Sequence, residues 1–311
     1  MDARWPLPLV LASIVALFPA DLRPGSASQQ VPPGPLFSAR SDLVVLNVAV
    51  ADRDGASVTG LDSTAFRVYE DGQPQTIELF SSGDTPVTAG LVVDNSGSMG
   101  PARTRVSVAA GSFAATSNPQ DEIFALVFNE YVRAVLPAEH PFTGSPVVLR
   151  NALSDAITAN GRTALYDAIA AGLTYLSRGE HARKVLVLVS DGGDNESRTT
   201  FDEVRSMTAS SNTLIYAVGL PDPLDTDARP GELKRLASAT GGQAFFPKET
   251  SDVDIVLRRV AKDIRSMYTI GYTPTNAGPD GHFRRIRVTA SSPDRREYRV
   301  RTREGYVVEG R

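Results

Sequence analysis

The chain has 311 residues, 41% of them hydrophobic and 22% charged, enough for one full-sized α/β core plus a smaller module and too ordinary for a disordered chain. Its 32 basic and 36 acidic residues give a formal net charge of −4 without long runs of either sign, which argues against a nucleic-acid partner. Cysteine is absent, so thiol lipidation, disulfides and thiolate metal sites are excluded, and stability must come without them.

The first residues carry Arg4, then an apolar stretch over 5–20 broken by prolines and Ser13, then small residues over 25–28. This order reads as a secretory signal peptide over 1–28, with cleavage after Ala20, Ala27 or Ser28 all fitting. The stretch is shorter than the roughly 20 residues of a spanning helix, and Pro6, Pro8 and Pro19 weaken it as an anchor. An exported protein, periplasmic or secreted, is expected. A membrane is a partner only if this segment is retained.

A Pro-rich linker over 29–40 leads into apolar residues over 42–50 that suit a strand. Residues 66–70 and 75–80 flank Asp71-Gly72, a hairpin-turn dipeptide. These three strands are expected to form one small antiparallel unit, 41–84.

From residue 88 the pattern changes. Apolar runs at 89–93, 122–128, 184–189 and 213–218 suit strands covered on both faces, and 103–115, 147–158, 163–176 and 201–210 carry helical apolar spacing. The alternation continues through 232–238, 244–247 and 253–267. It predicts an α/β fold with a doubly wound, mainly parallel sheet over 85–267. Beyond it, 268–272, 283–290 and 298–303 read as short strands of a C-terminal β segment, 268–311, expected to pack with 41–84 as a small flanking antiparallel β module.

The strand at 89–93 ends in Asp94-Asn95-Ser96-Gly97-Ser98-Met99, before a predicted helix. Ligands of an open parallel sheet collect beyond the carboxyl ends of its strands. An Asp-x-Ser-x-Ser loop offers one carboxylate and two hydroxyls, the oxygen donors a hard divalent cation prefers. The same residues also make good helix caps, and the loop alone does not choose between the two roles. Thr163, after Gly161-Arg162, could likewise cap a helix or present its hydroxyl to a cation. Asp191, in Ser190-Asp191-Gly192, follows the strand at 184–189 and faces the same crevice.

On these three segments the chain resembles the von Willebrand factor type A (VWA) family, over roughly residues 88–265. That family's metal-ion-dependent adhesion site combines an Asp-x-Ser-x-Ser loop, a Thr and an Asp-Gly on separate loops, and all five positions match. The resemblance implies a divalent cation, Mg²⁺ or else Mn²⁺ or Ca²⁺, at Asp94, Ser96, Ser98, Thr163 and Asp191. It implies direct coordination by Ser96 and Ser98, by Thr163 once a partner is engaged, and water-mediated roles for Asp94 and Asp191. Gly97 is expected to let the loop approach the ion. The flanks at 58–61, 66–72 and Gln75, with 268–274 and 301–306, are similar to those of bacterial exported VWA-related proteins.

The function expected is non-enzymatic, adhesion-type binding of a protein partner that offers an Asp or Glu carboxylate. The alternative is a structural or assembly subunit whose metal site stabilises the fold; metal-dependent hydrolysis ranks third. A serine hydrolase is disfavoured, because Ser96 stands where a nucleophile elbow needs Gly, and His140, His181 and His282 lie away from the loop. Asp222, Asp225 and Asp227 read as a solvated turn rather than an EF-hand. The arginines at 284, 285, 287, 295, 296, 299, 301 and 303 read as a solvated strand face, and Tyr268, Tyr272 and Phe283 as core of the β module.

Overall fold

The computed structural model describes residues 43–191, 193–221, 229–275, 281–292 and 297–308. The expected signal peptide, the linker and the Asp222–Asp225–Asp227 turn lie outside them. The first strand, β1 (Val44–Ala51), is followed by β2 (Phe66–Glu70), β3 (Gln73–Gln75) and β4 (Leu79–Ser82). Asp71 and Gly72 both take positive φ, 48° and 83°, and turn β2 tightly onto β3.

The α/β core then runs β5 (Val87–Asp94), α1 (Arg103–Thr116), β6 (Glu122–Phe128), β7 (Val132–Ala134), α2 (Pro146–Ala156), α3 (Leu165–Leu176), β8 (Arg183–Ser190), α4 (Phe201–Ser210), β9 (Thr213–Gly219), α5 (Pro230–Thr240), β10 (Ala244–Phe245) and α6 (Val253–Arg265). The sheet order is β10-β9-β8-β5-β6-β7, parallel except for β7, which returns antiparallel along β6. Strand alternation sorts the side chains onto two faces. Leu91, Val93, Val187, Val189, Tyr216 and Val218 pack with α1, α2 and α6. Val92, Leu126, Leu186, Leu188, Ile215 and Ala217 pack with α3, α4 and α5. Coverage on both faces explains why these strands read as continuous apolar runs.

The chain ends in β11 (Tyr268–Tyr272), β12 (Phe283–Ala290), β13 (Arg299–Arg301) and β14 (Gly305–Val307). The outer strands form two four-stranded sheets, β13-β1-β11-β4 and β14-β12-β2-β3. Both mix segments from before and after the core, and one apolar cluster joins Leu46, Val48, Phe66 and Val68 to Tyr268, Ile270, Tyr272 and Ile286.

Three expectations need correction here. The front segment is not one antiparallel unit: β1 and β4 lie in one sheet while β2 and β3 lie in the other, and the run at 75–80 is divided between them. Arg284 is not solvated, since it is buried and ion-paired with the fully buried Glu70. Phe283 is 45% exposed, whereas Tyr268 and Tyr272 are buried.

Arg183, the first residue of β8, joins the core to the outer strands. Its buried guanidinium donates to Asn47 Oδ1 at 3.0 Å on β1, to the Ile264 carbonyl at 3.2 Å on α6 and to Thr269 Oγ1 at 2.7 Å on β11. Among the described residues, no helix is long and apolar enough to cross a membrane.

Candidate metal centre

Asp94 is the last residue of β5, and Asp191 follows the last residue of the adjacent parallel strand β8. Parallel pairing therefore brings both carboxylates to the carboxyl end of the sheet. Asp94 is fully buried; its Oδ1 accepts the Ser96 N–H at 2.8 Å and its Oδ2 accepts the Ser190 hydroxyl at 2.7 Å. Ser98 donates its hydroxyl to Asp191 Oδ2 at 2.5 Å, and the Ser96 and Ser98 hydroxyl oxygens are 3.0 Å apart. Asp94, Ser96, Ser98 and Asp191 are thus linked in one cluster.

The capping role does not hold for these groups. The short turn Gly97–Met99 and helix α1 both start without a side-chain cap hydrogen bond. Helix α3 begins at Leu165, also without one, so Thr163 is not its cap. That helix start is served by Asp194 and Ser197 instead, which accept the Tyr166 N–H at 3.3 and 3.0 Å. The serine and threonine hydroxyls are therefore not committed to helix ends.

Thr163 is buried in a loop held against the Asp94 loop. The Gly97 N–H donates to the Gly161 carbonyl at 3.2 Å, and Gly161 has φ of 83°, a conformation that favours glycine. Asn195 clamps the Thr163 backbone: its side-chain oxygen accepts the Thr163 N–H at 3.0 Å while its own N–H donates to the Thr163 carbonyl at 3.0 Å.

Asn95 joins the first two loops. Its Oδ1 accepts the N–H groups of Thr158 and Ala159 at 2.7 and 2.8 Å, and its carbonyl accepts the Asn160 N–H at 2.9 Å. Its importance is not visible in the motif, which leaves that position open; Asn in a tight loop next to a strand end was the available signal. Ser190 was missed likewise, although its position immediately before Asp191 placed it at the same strand end. Gly97 needs qualification: a Cβ there would meet nothing closer than the Gly161 carbonyl at 3.8 Å. The protein itself does not demand glycine.

The electrostatics favour a cation. Burial and the nearby Asp191 charge push the Asp94 carboxyl up to about 6, against opposing hydrogen bonds from Ser96 and Ser190. No Lys or Arg ion-pairs with either aspartate among the described residues. Nor do those residues hold a cluster of three or more His, Cys, Asp or Glu suited to a metal. Two carboxylates with three hydroxyls that cap no helix fit a hard cation that retains waters, rather than a soft or tightly caged one.

The rim of this face is polar with one aromatic. Arg162 ion-pairs with Glu196 at 2.7 Å and its N–H donates to Glu130 at 2.8 Å. Tyr131, in the turn between β6 and β7, is 81% exposed.

The von Willebrand factor type A domain model matches residues 90–261, more than half of the chain. The chain belongs to the VWA family. Solved VWA folds are correspondingly similar. A von Willebrand factor type A protein from Catenulispora acidiphila has 14% identity and a TM-score of 0.51, with 88% of this chain and 76% of that one covered. Proximal thread matrix protein 1 from the mussel byssus has 14% identity and a TM-score of 0.51. There the match covers 63% of this chain and about half, 51%, of the mussel chain. At such identities the likeness concerns the fold. No curated protein matches the chain.

Proposed function

We propose that this VWA protein is an exported, metal-dependent protein-binding module, in which Asp94, Ser96, Ser98, Thr163 and Asp191 hold one divalent cation. The observation carrying the proposal is the convergence of two buried, mutually repelling carboxylates with hydroxyls that cap no helix. A divalent cation, Mg²⁺ foremost, supplies when bound a positive centre whose coordination a partner's Asp or Glu carboxylate completes.

The chain's own residues do the rest. Ser96 and Ser98 present neutral oxygens, so the site retains positive charge for the partner. Asp94 and Asp191 balance part of it from behind, oriented by Ser190 and the Gly193 N–H. Asn95 and Asn195 fix the spacing of the three loops. Export rests on the composition of residues 1–28, followed by the linker at 29–40, with the core at 85–267 set between the β segments 41–84 and 268–311.

Titration calorimetry with Mg²⁺ and Mn²⁺ tests the site, with saturable binding expected in the wild type and none in Asp94→Ala. Capture of partners in Mg²⁺ followed by elution with chelator tests the use. Retention of the partner through chelation, together with a large fall in melting temperature, would instead assign the ion a structural role.

A further inference from the structure

Along the β10 edge of the sheet, a cleft of about 810 Å³ lies between α5, α6, the turn after β1 and β13. Its size suits a small molecule. Five cationic side chains line it: Lys234, Arg259, Lys262, Arg299 and Arg301. Against them stand two carboxylates, Asp54 and Asp263, and Asp263 is already engaged by Arg301 at 2.6 Å and by the Tyr216 hydroxyl at 2.5 Å. A chain of net charge −4 thus concentrates positive charge in one concavity, where a cleft focuses the field.

The cations are spread over separate elements and partly held in place. Lys234 lies over the Phe246 ring at 5.2 Å and Arg259 over the Phe245 ring at 5.4 Å. Lys262 and Arg299 have no ion pair among the described residues. Groups fixed on α5, α6 and β13 cannot all be neutralised by one surface counter-ion. They match a ligand with several oxyanion groups, each able to take charge-assisted hydrogen bonds.

We infer that this cleft is a second binding site, separate from the metal centre, for a small molecule bearing two or more phosphate or carboxylate groups. Such a ligand would tie the core helices to the outer strands β1 and β13, and so raise the melting temperature.

Calorimetry and thermal melting of metal-free protein with pyrophosphate and with citrate, in about 150 mM salt to screen loose surface attraction, test the inference. Saturable binding of either probe is expected, the tighter one identifying the oxyanion type. It should weaken at least about tenfold in the Lys262→Ala/Arg299→Ala protein and persist in Asp94→Ala, which lacks the metal site. Absence of saturable binding by both probes, or equal binding by the double variant with an unchanged melting temperature, would overturn it. Loss of binding in Asp94→Ala would overturn it too, by moving the anion to the metal centre.

Discussion

Ser98 donates its hydroxyl to Asp191 across 2.5 Å, although the two residues are 93 positions apart in the chain. The contact joins the loop after β5 to the loop after β8, and the proposed ion would share its oxygens. Replacing Ser98 by Ala should therefore weaken Mg²⁺ by more than its lost contact, because Asp191 also loses its orientation. We expect a loss of about 10–100-fold, and a similar one for Asn95→Ala through loosening of the loop at 158–160. Calorimetry checks both; an unchanged Mg²⁺ affinity in Asn95→Ala would remove Asn95 from the site's support.

The Asp94 carboxyl yields a pH dependence with a definite sign. Its folded-state value, about 6, lies above the ordinary 3.8, so the metal-free fold binds this proton more tightly than the unfolded chain does. That contribution is fully present below about pH 4 and is lost as pH rises through 6. It amounts to about 3 kcal/mol from the two-unit shift. Denaturant unfolding of metal-free wild type against Asp94→Asn, from pH 4 to 8, should show the steeper decline in the wild type. Mg²⁺ should restore stability at pH 7 and bind more weakly as pH falls below 6.

Glu70 and Arg284 form a buried ion pair, and Glu70 also accepts the hydroxyls of Tyr272 and Tyr306 at 2.6 and 3.0 Å. Glu70→Ala leaves the guanidinium buried without its counter-charge and should cost about 3–5 kcal/mol. Chemical denaturation measures this. A cost below about 1 kcal/mol would mean that water or another acceptor replaces Glu70 at no loss.

Tyr131 stands exposed beside the metal face and contributes little to folding. Tyr131→Ala should leave the melting temperature and Mg²⁺ affinity nearly unchanged, yet reduce retention of captured partner by about tenfold or more, as loss of an aromatic anchor does. Equal retention would place the partner's footprint elsewhere on the rim.

What could be read from the sequence follows from how local each signal is. The core strands announce themselves because residues such as Leu91, Val92 and Val187 are buried whichever way they point. Asp94, Ser96 and Ser98 stand out because their spacing lies within one loop directly after such a strand. Arg284 did not reveal its burial, since its partner Glu70 is 214 residues away and the arginines around it look solvated. The division of 75–80 between two sheets escaped for the same reason: β3 pairs with its hairpin neighbour, whereas β4 pairs with β11 from beyond the core. Asn95 acts through backbone groups some 63 positions on, which no local pattern encodes.

The pairing of β4 with β11 bears on how the core is restrained if it opens while the outer sheets stay folded. Ser82 and Tyr268 are direct neighbours in that ladder, one just before the core begins and the other just after it ends. Holding them together closes the whole core into a loop, which reduces the configurational freedom of that segment when it unravels. In chains that cross-link such points covalently, closing a loop of a hundred residues contributes about 4–5 kcal/mol. With no cysteine available, this protein makes the closure from a hydrogen-bonded ladder. Reducing agents leave such a fastening intact; it gives way only when the outer sheets themselves melt.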